Sequence, residues 1–219
     1  MFFCLLLGVA LPNPSLAAPR ADLLPLALRG PQLNATVPAA EEAAGTSVVI
    51  SPGAVAATGA AALPEAEISL GKKKGLVVAF LSAACPCSNS HNRELAALAA
   101  EYPEFAFVGV HSNPNELRDF ALAYFKKAGL PFPVIRDRGG KLAGEFKALK
   151  TPHAFVVLPS GEAAYRGGVS SSRQFDPSVG HKYLREALED LSANPSRPVR
   201  TPEGRTLGCA IARGIASDW

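Results

Sequence analysis

Gly75-Leu-Val-Val-Ala-Phe-Leu-Ser-Ala-Ala-Cys85-Pro-Cys87-Ser-Asn-Ser-His91 decides the fold. Its first part, Leu76 to Ser82, is short, apolar and partly β-branched, the pattern of a strand buried on both faces. Its second part opens a helix over Pro86 to Tyr102, where Leu95, Leu98, Ala99 and Tyr102 recur at i, i+3, i+4 and i+7. Pro86 suits the first turn, which needs no N–H, and Pro103 ends the helix. Two cysteines therefore stand where a buried strand turns into a helix. Unpaired amides and the positive end of the helix dipole favour a thiolate there. A thiolate is the species that attacks disulfides.

Outward from this stretch, strands and helices alternate. Phe105 to His111 reads as a second buried strand. Ser112-Asn-Pro-Asn-Glu116 reads as a helix start with an acid in its first turn, followed by the stripe Leu117, Phe120, Ala121, Tyr124 and Phe125, and Gly129 closes that helix. Pro131 to Arg136 is a short strand, Asp137-Arg-Gly-Gly a turn, and Lys141 to Lys150 a short helix. His153 to Leu158 is a strand behind Thr151-Pro152, and Ala163 to Val169 pairs back on it as a hairpin. Ser170 to Gly180 is a polar loop, and His181 to Ser192 is the last helix. The order β-α-β-α-β-α-β-β-α predicts an α/β protein, with a central mixed sheet of about five strands and helices on both faces.

The 219 residues hold one ordinary domain plus tails. Residues 1–17 read as a signal peptide: Phe2 to Ala10 is apolar around Cys4, Ser15-Leu-Ala17 offers small residues for cleavage, and only the basic leader is missing. Residues 18–65 are an Ala/Pro-rich linker with a short strand near 47–50. The domain proper spans 66–192, and 193–219 is a Pro- and Arg-rich tail carrying Cys209. These features predict a periplasmic or secreted protein that touches a membrane only through its leader. The net charge of +3 and the lack of a basic stripe argue against nucleic acid, and Lys72-Lys-Lys74 reads as a solvated turn. Removal of the leader leaves Cys85, Cys87 and Cys209, an odd count that suggests redox chemistry over a structural framework.

These residues resemble the thioredoxin fold, in its redoxin branch related to the alkyl hydroperoxide reductase/thiol-specific antioxidant family. Four features carry the resemblance: Cys85 between strand and helix, Thr151-Pro152 before a strand, Phe132-Pro-Val-Ile-Arg-Asp-Arg-Gly-Gly-Lys-Leu-Ala143, and the hairpin Phe155-Val-Val-Leu-Pro-Ser-Gly-Glu-Ala-Ala-Tyr-Arg-Gly167. The match spans roughly residues 70–192. Gly208-Cys-Ala-Ile211 is similar to an ending of some peroxiredoxin-like bacterial proteins. The resemblance implies a cis bond at Thr151–Pro152 facing Cys85, with Ser82 and Thr151 supporting the site.

It implies thiol–disulfide exchange with a protein or small-molecule disulfide or thiol, without a cofactor. Cys85 would attack, and Cys87 or Cys209 would resolve. Two departures matter. The pair is Cys-x-Cys where thioredoxins have Cys-x-x-Cys, with Ser88 in place of the second cysteine. The arginine with which peroxiredoxins bind peroxide would fall near Pro152, where none stands; Arg136 is the substitute to consider. A thiol-dependent peroxidase is an alternative, against which the missing arginine counts. A copper or zinc redoxin acting as metallochaperone is another, using Cys85, Cys87 and one of His91, His111 or His153. Surface or hydrogen-bonded histidines are the plainer reading of those three.

Overall fold

A computed structural model describes residues 47–50, 66–70 and 72–212. The expected signal peptide, Cys4 and most of the linker lie outside the described residues. Strand β1 (Ser47–Ile50) pairs antiparallel with β2 (Ala66–Ser69), so the strand expected near 47–50 is present.

The main sheet has five strands. Its centre is β3 (Gly75–Leu81), buried along its whole length as a continuous apolar run demands. It runs parallel to β4 (Phe105–His111) and antiparallel to β7 (His153–Val157). The edges are β5 (Val134–Arg136), parallel to β4, and β8 (Ala163–Gly167), the return strand of the hairpin with β7. The sheet is mixed, as the element order predicted.

Alternate residues of each strand face opposite sides, and two cores result. On one side Val77, Ala79, Leu81, Phe105 and Phe107 pack under Leu95 and Leu98 of α1 (Pro86–Glu101), Phe125 of α2 (Arg118–Ala128) and Leu184, Leu188 and Leu191 of α4 (Tyr183–Ala193). On the other side Leu76, Val78, Phe80, Val108 and Phe155 meet Leu142 and Ala143 of α3 (Lys141–Glu145). Ile211 of the tail joins this second core and is itself buried. Helices thus cover both faces, and part of the second cover comes from the tail.

Three local expectations change. Helix α2 starts at Arg118, with no side-chain cap at Leu117. The expected acid of its first turn, Glu116, is instead drawn back into the strand-to-helix loop of Cys85. Leu117 and Phe120 are consequently exposed, and only Ala121 and Phe125 of the expected stripe are buried. Helix α3 stops at Glu145, because Lys147 turns to a φ of 53° and Lys150–Thr151 straighten into β6. The tail carries a strand of its own, β9 (Cys209–Ala210), which pairs antiparallel with β6 in the register Lys150↔Ala210 and Thr151↔Cys209. Nothing in the tail's polar, Pro-rich composition announced that strand; it exists because β6 offers it a free backbone edge.

Candidate redox site

Cys85 is the N-cap of α1, with extended φ/ψ angles of −86° and 112°, and Pro86 follows in the first turn. Its Sγ accepts a hydrogen bond from the Ser88 amide at 3.4 Å, taking the role a serine or aspartate oxygen plays in an ordinary cap. The loop before it is tied down at several points. Ser82 Oγ accepts from the Cys85 amide at 3.0 Å and donates to the Glu116 carboxylate. The Ser82 amide donates to Ser88 Oγ at 3.1 Å.

Glu116 is the hub of this loop. Its buried carboxylate accepts from the amides of Ala83 (2.8 Å) and Ala84 (3.2 Å), from Asn113 Nδ2 (2.9 Å), and lies 3.0 Å from His111 Nε2. Burial alone would raise its pKa. The bonds from His111, Ser82 and Asn113 outweigh burial and hold it down at about 2. The sequence showed Glu116 only as a helix-start acid; the buried polar triplet Ser82, His111, Glu116 becomes visible once β3 and β4 lie side by side.

Opposite Cys85 stands the cis peptide Thr151–Pro152, as the resemblance implied. The Thr151 carbonyl lies 3.2 Å from Cys85 Sγ. Pairing of β6 with β9 then sets Cys209 beside Thr151, and its Sγ is 2.7 Å from that of Cys85. Both are free thiols, within an ångström of the roughly 2.05 Å of a disulfide bond. Gly208 allows this approach: a Cβ there would come within 2.0 Å of the Thr151 carbonyl oxygen.

Charge is unevenly shared in the pair. Burial pushes the Cys85 thiol up, but the hydrogen bonds with Cys209, Thr151 and the Ser88 amide more than offset it, and its pKa falls. Cys209 moves the other way, pushed up to about 12 by its hydrogen bond to Cys85, by burial and by the neighbouring sulfur charge. The opposite directions mean that negative charge, when one sulfur of the pair carries it, is favoured on Cys85 over Cys209. Cys87, one residue into the helix, is raised by burial and then by the Cys85 charge, with Arg173 of the loop after β8 opposing.

The three sulfurs of Cys85, Cys87 and Cys209 all lie within 4.8 Å of one another. No histidine joins them among the described residues. His91 is buried, its Nδ1 2.7 Å from the Cys87 carbonyl and its Nε2 2.8 Å from Ser170 Oγ. His111 faces Glu116, and His153 is buried against Phe155, where burial and then the Arg166 charge lower its pKa to about 4. The Cys85–Cys87–histidine metal set is therefore corrected to a set of three sulfurs. Arg136, the substitute peroxide ligand, is buried at the end of β5 opposite His111; burial and then the charges of Arg138 and Arg118 lower its pKa.

Known proteins resemble this chain in sequence or in shape. Among solved structures, a hypothetical protein of Sinorhizobium meliloti is 25% identical, covering 67% of this chain and 85% of its own, with a TM-score of 0.58. An uncharacterized conserved protein of Geobacillus kaustophilus is 22% identical over 90% of this chain and 96% of its own, with a TM-score of 0.61. A secreted disulfide oxidoreductase of Mycobacterium tuberculosis is a more distant likeness, 18% identical over 58% and 90%, with a TM-score of 0.44. No curated protein sequence matches the chain. The family model of the AhpC/TSA family matches residues 57–166, half of the chain, from the linker through β3, Cys85 and the cis-proline to β8. With its five-stranded mixed sheet and its cysteine between strand and helix, this chain has a thioredoxin-like fold and belongs to the AhpC/TSA family.

Proposed function

We propose that this protein is an exported thiol–disulfide oxidoreductase whose redox pair is Cys85 and Cys209. The observation that carries the reading is the 2.7 Å approach of the two sulfurs at a helix N-cap beside cis Thr151–Pro152. Cys85 supplies the thiolate of the exchange, and the pair passes between dithiol and disulfide with two electrons and two protons exchanged with the partner. Ser82 and Thr151 hold the loop and the facing carbonyl, and Cys87 is the second sulfur available for exchange. The partner is a protein or small-molecule thiol or disulfide. Export is supported by the apolar run Phe2 to Ala10 and the small residues Ser15 and Ala17.

Peptide mass mapping of the oxidised protein tests the pair: a Cys85–Cys209 bridge is expected, and a Cys85–Cys87 bridge or a free Cys85 would refute it. Exchange with oxidised glutathione is expected to fall to the uncatalysed rate in Cys85→Ser, and full activity in that variant would refute the role of Cys85.

The three sulfurs favour a second reading for the reduced state, a site for a soft ion such as copper(I), for which thiolates are the preferred ligands. Stoichiometric copper retained by reduced protein against a chelator, and lost in Cys87→Ser, would support it. Absence of uptake would remove it.

A further inference from the structure

Reactivity and access fall on different sulfurs of this site. Cys85 is 2% exposed and Cys87 8%, whereas Cys209 is exposed. The backbone beside Pro152 is occupied as well: Thr151 pairs with Cys209, the Ile211 amide donates to the Leu149 carbonyl at 2.9 Å, and the Ala212 amide donates to Asn113 Oδ1 at 3.0 Å. The tail is bolted down again upstream, where the Gly204 amide donates to the Arg166 carbonyl and the Arg166 amide to the Pro202 carbonyl, each at 2.9 Å. A partner approaching the seated tail meets the Cys209 sulfur first and the Cys85 sulfur only behind it.

Resting on the Cys85–Cys209 pair of the preceding section, we propose that Cys209 is the partner-facing sulfur, the atom on which the mixed disulfide with an external thiol forms, and that Cys85 acts inward on that bond. In the opening step a partner thiolate attacks Cys209 Sγ of the bridge. The new bond is between the partner sulfur and Cys209, the bond broken is Cys85–Cys209, and the electron pair leaves on Cys85 as thiolate. A second thiol of the partner, or a second thiol molecule, then displaces Cys209, which takes up a proton; the partner leaves oxidised and the protein reduced by two electrons. In the reverse direction Cys209 gives up its proton and attacks a partner disulfide, releasing one partner sulfur as thiolate, and the Cys85 thiolate then attacks Cys209 Sγ of the mixed disulfide and expels the second partner sulfur as thiolate.

Two further features favour this polarity. The Ser88 amide and the helix N-terminus stabilise negative charge on Cys85, which makes it the better leaving group of the two. The Thr151 edge is already paired with the tail, so the partner needs no strand of its own there. The class of partner is a low-molecular-weight thiol or a dithiol protein that presents its sulfur over the outer side of residues 208–210.

The test uses the full-length protein with the bridge formed and mapped, as the natural chain and as Cys87→Ser, which removes shuffling through the third sulfur. Each is exposed briefly to limiting glutathione, quenched in acid, capped with N-ethylmaleimide and digested for mass spectrometry. Glutathione on Cys209 with maleimide on Cys85 is expected to exceed the reverse pattern by about tenfold or more, in Cys87→Ser and at the earliest times in the natural chain. Glutathione on Cys85 in equal or greater amount would overturn the assignment while leaving the redox pair intact. Failure of the bridge to form at all would overturn the pair, and the assignment with it.

Discussion

The two walls of the redox site are built on opposite principles. The Cys85 wall is a buried polar cluster. Ser82, Ser88, His111 and Glu116 lie below the surface; Ser82, Ser88 and Glu116 satisfy the loop amides, and His111 pairs with Glu116. The Cys209 wall is a strap held mainly through its backbone: it pairs with β6 and β8 by main-chain hydrogen bonds, adds ion pairs at Arg200–Asp190 and Glu203–Arg166, and along 199–212 buries only Val199 and Ile211. A buried carboxylate with several donors is strong and intolerant of change, because losing it strands every donor at once. A backbone strap costs little to lift locally. For the exchange proposed above, the first wall would supply a fixed sulfur with a lowered pKa and the second a movable sulfur that a partner can reach.

The largest effect expected from breaking this contrast comes from Glu116→Ala. It leaves the hydroxyl of Ser82 and the amides of Ala83 and Ala84 without their acceptor, and should destabilise the fold by about 3 kcal/mol or more in denaturant unfolding. A loss under about 1 kcal/mol would mean that water replaces the carboxylate and that the wall is not preorganised.

Acid should produce a loss of similar size. The Glu116 pKa is lowered from its ordinary 4.5 to about 2, so the fold favours the ionised form. That contribution is present above about pH 4.5 and fades as pH falls through 2, a change of about 3 kcal/mol. Unfolding midpoints measured between pH 5 and 2 should show this decline, and Glu116→Gln, which has no charge to lose there, should lack it.

Gly208→Ala should act on the strap alone. A methyl group 2.0 Å from the Thr151 carbonyl oxygen forces β9 off β6. In reduced protein, alkylation of Cys85 by iodoacetamide is expected to rise about tenfold, the factor that 1.4 kcal/mol of lost local stability gives, with little change in global unfolding. Unchanged Cys85 protection would show that the tail is not what covers it. The smallest effect belongs to Glu203→Ala. Its ion pair with Arg166 is exposed on both sides, and less than about 1 kcal/mol should be lost. A larger loss would mean that side chains, and not the backbone, hold the strap.

The same contrast explains what could be read early. The strand β3, the N-cap cysteine and the cis-proline are each encoded in a few consecutive residues, and their positions follow from apolar runs, from proline's missing N–H and from family resemblance. The sequence starts helix α2 too early, because an acid after Asn-Pro-Asn looks like a first-turn residue until the loop of Cys85 competes for it. The exposure of Leu117 and Phe120 follows from the same displacement. The tail strand was invisible because its pairing depends on the backbone edge of β6, which carries no side-chain signal.

By itself, then, the sequence determined the α/β order, the mixed sheet and the candidacy of Cys85, since each rests on periodicity or adjacency along the chain. Tertiary structure alone decided which of two sulfurs stands against Cys85. Cys87 is two positions away and Cys209 lies 124 positions away, yet it is Cys209 that comes to 2.7 Å. Adjacency in sequence places Cys87 inside the first helical turn; folding the tail across Thr151 brings the distant sulfur to the cap itself.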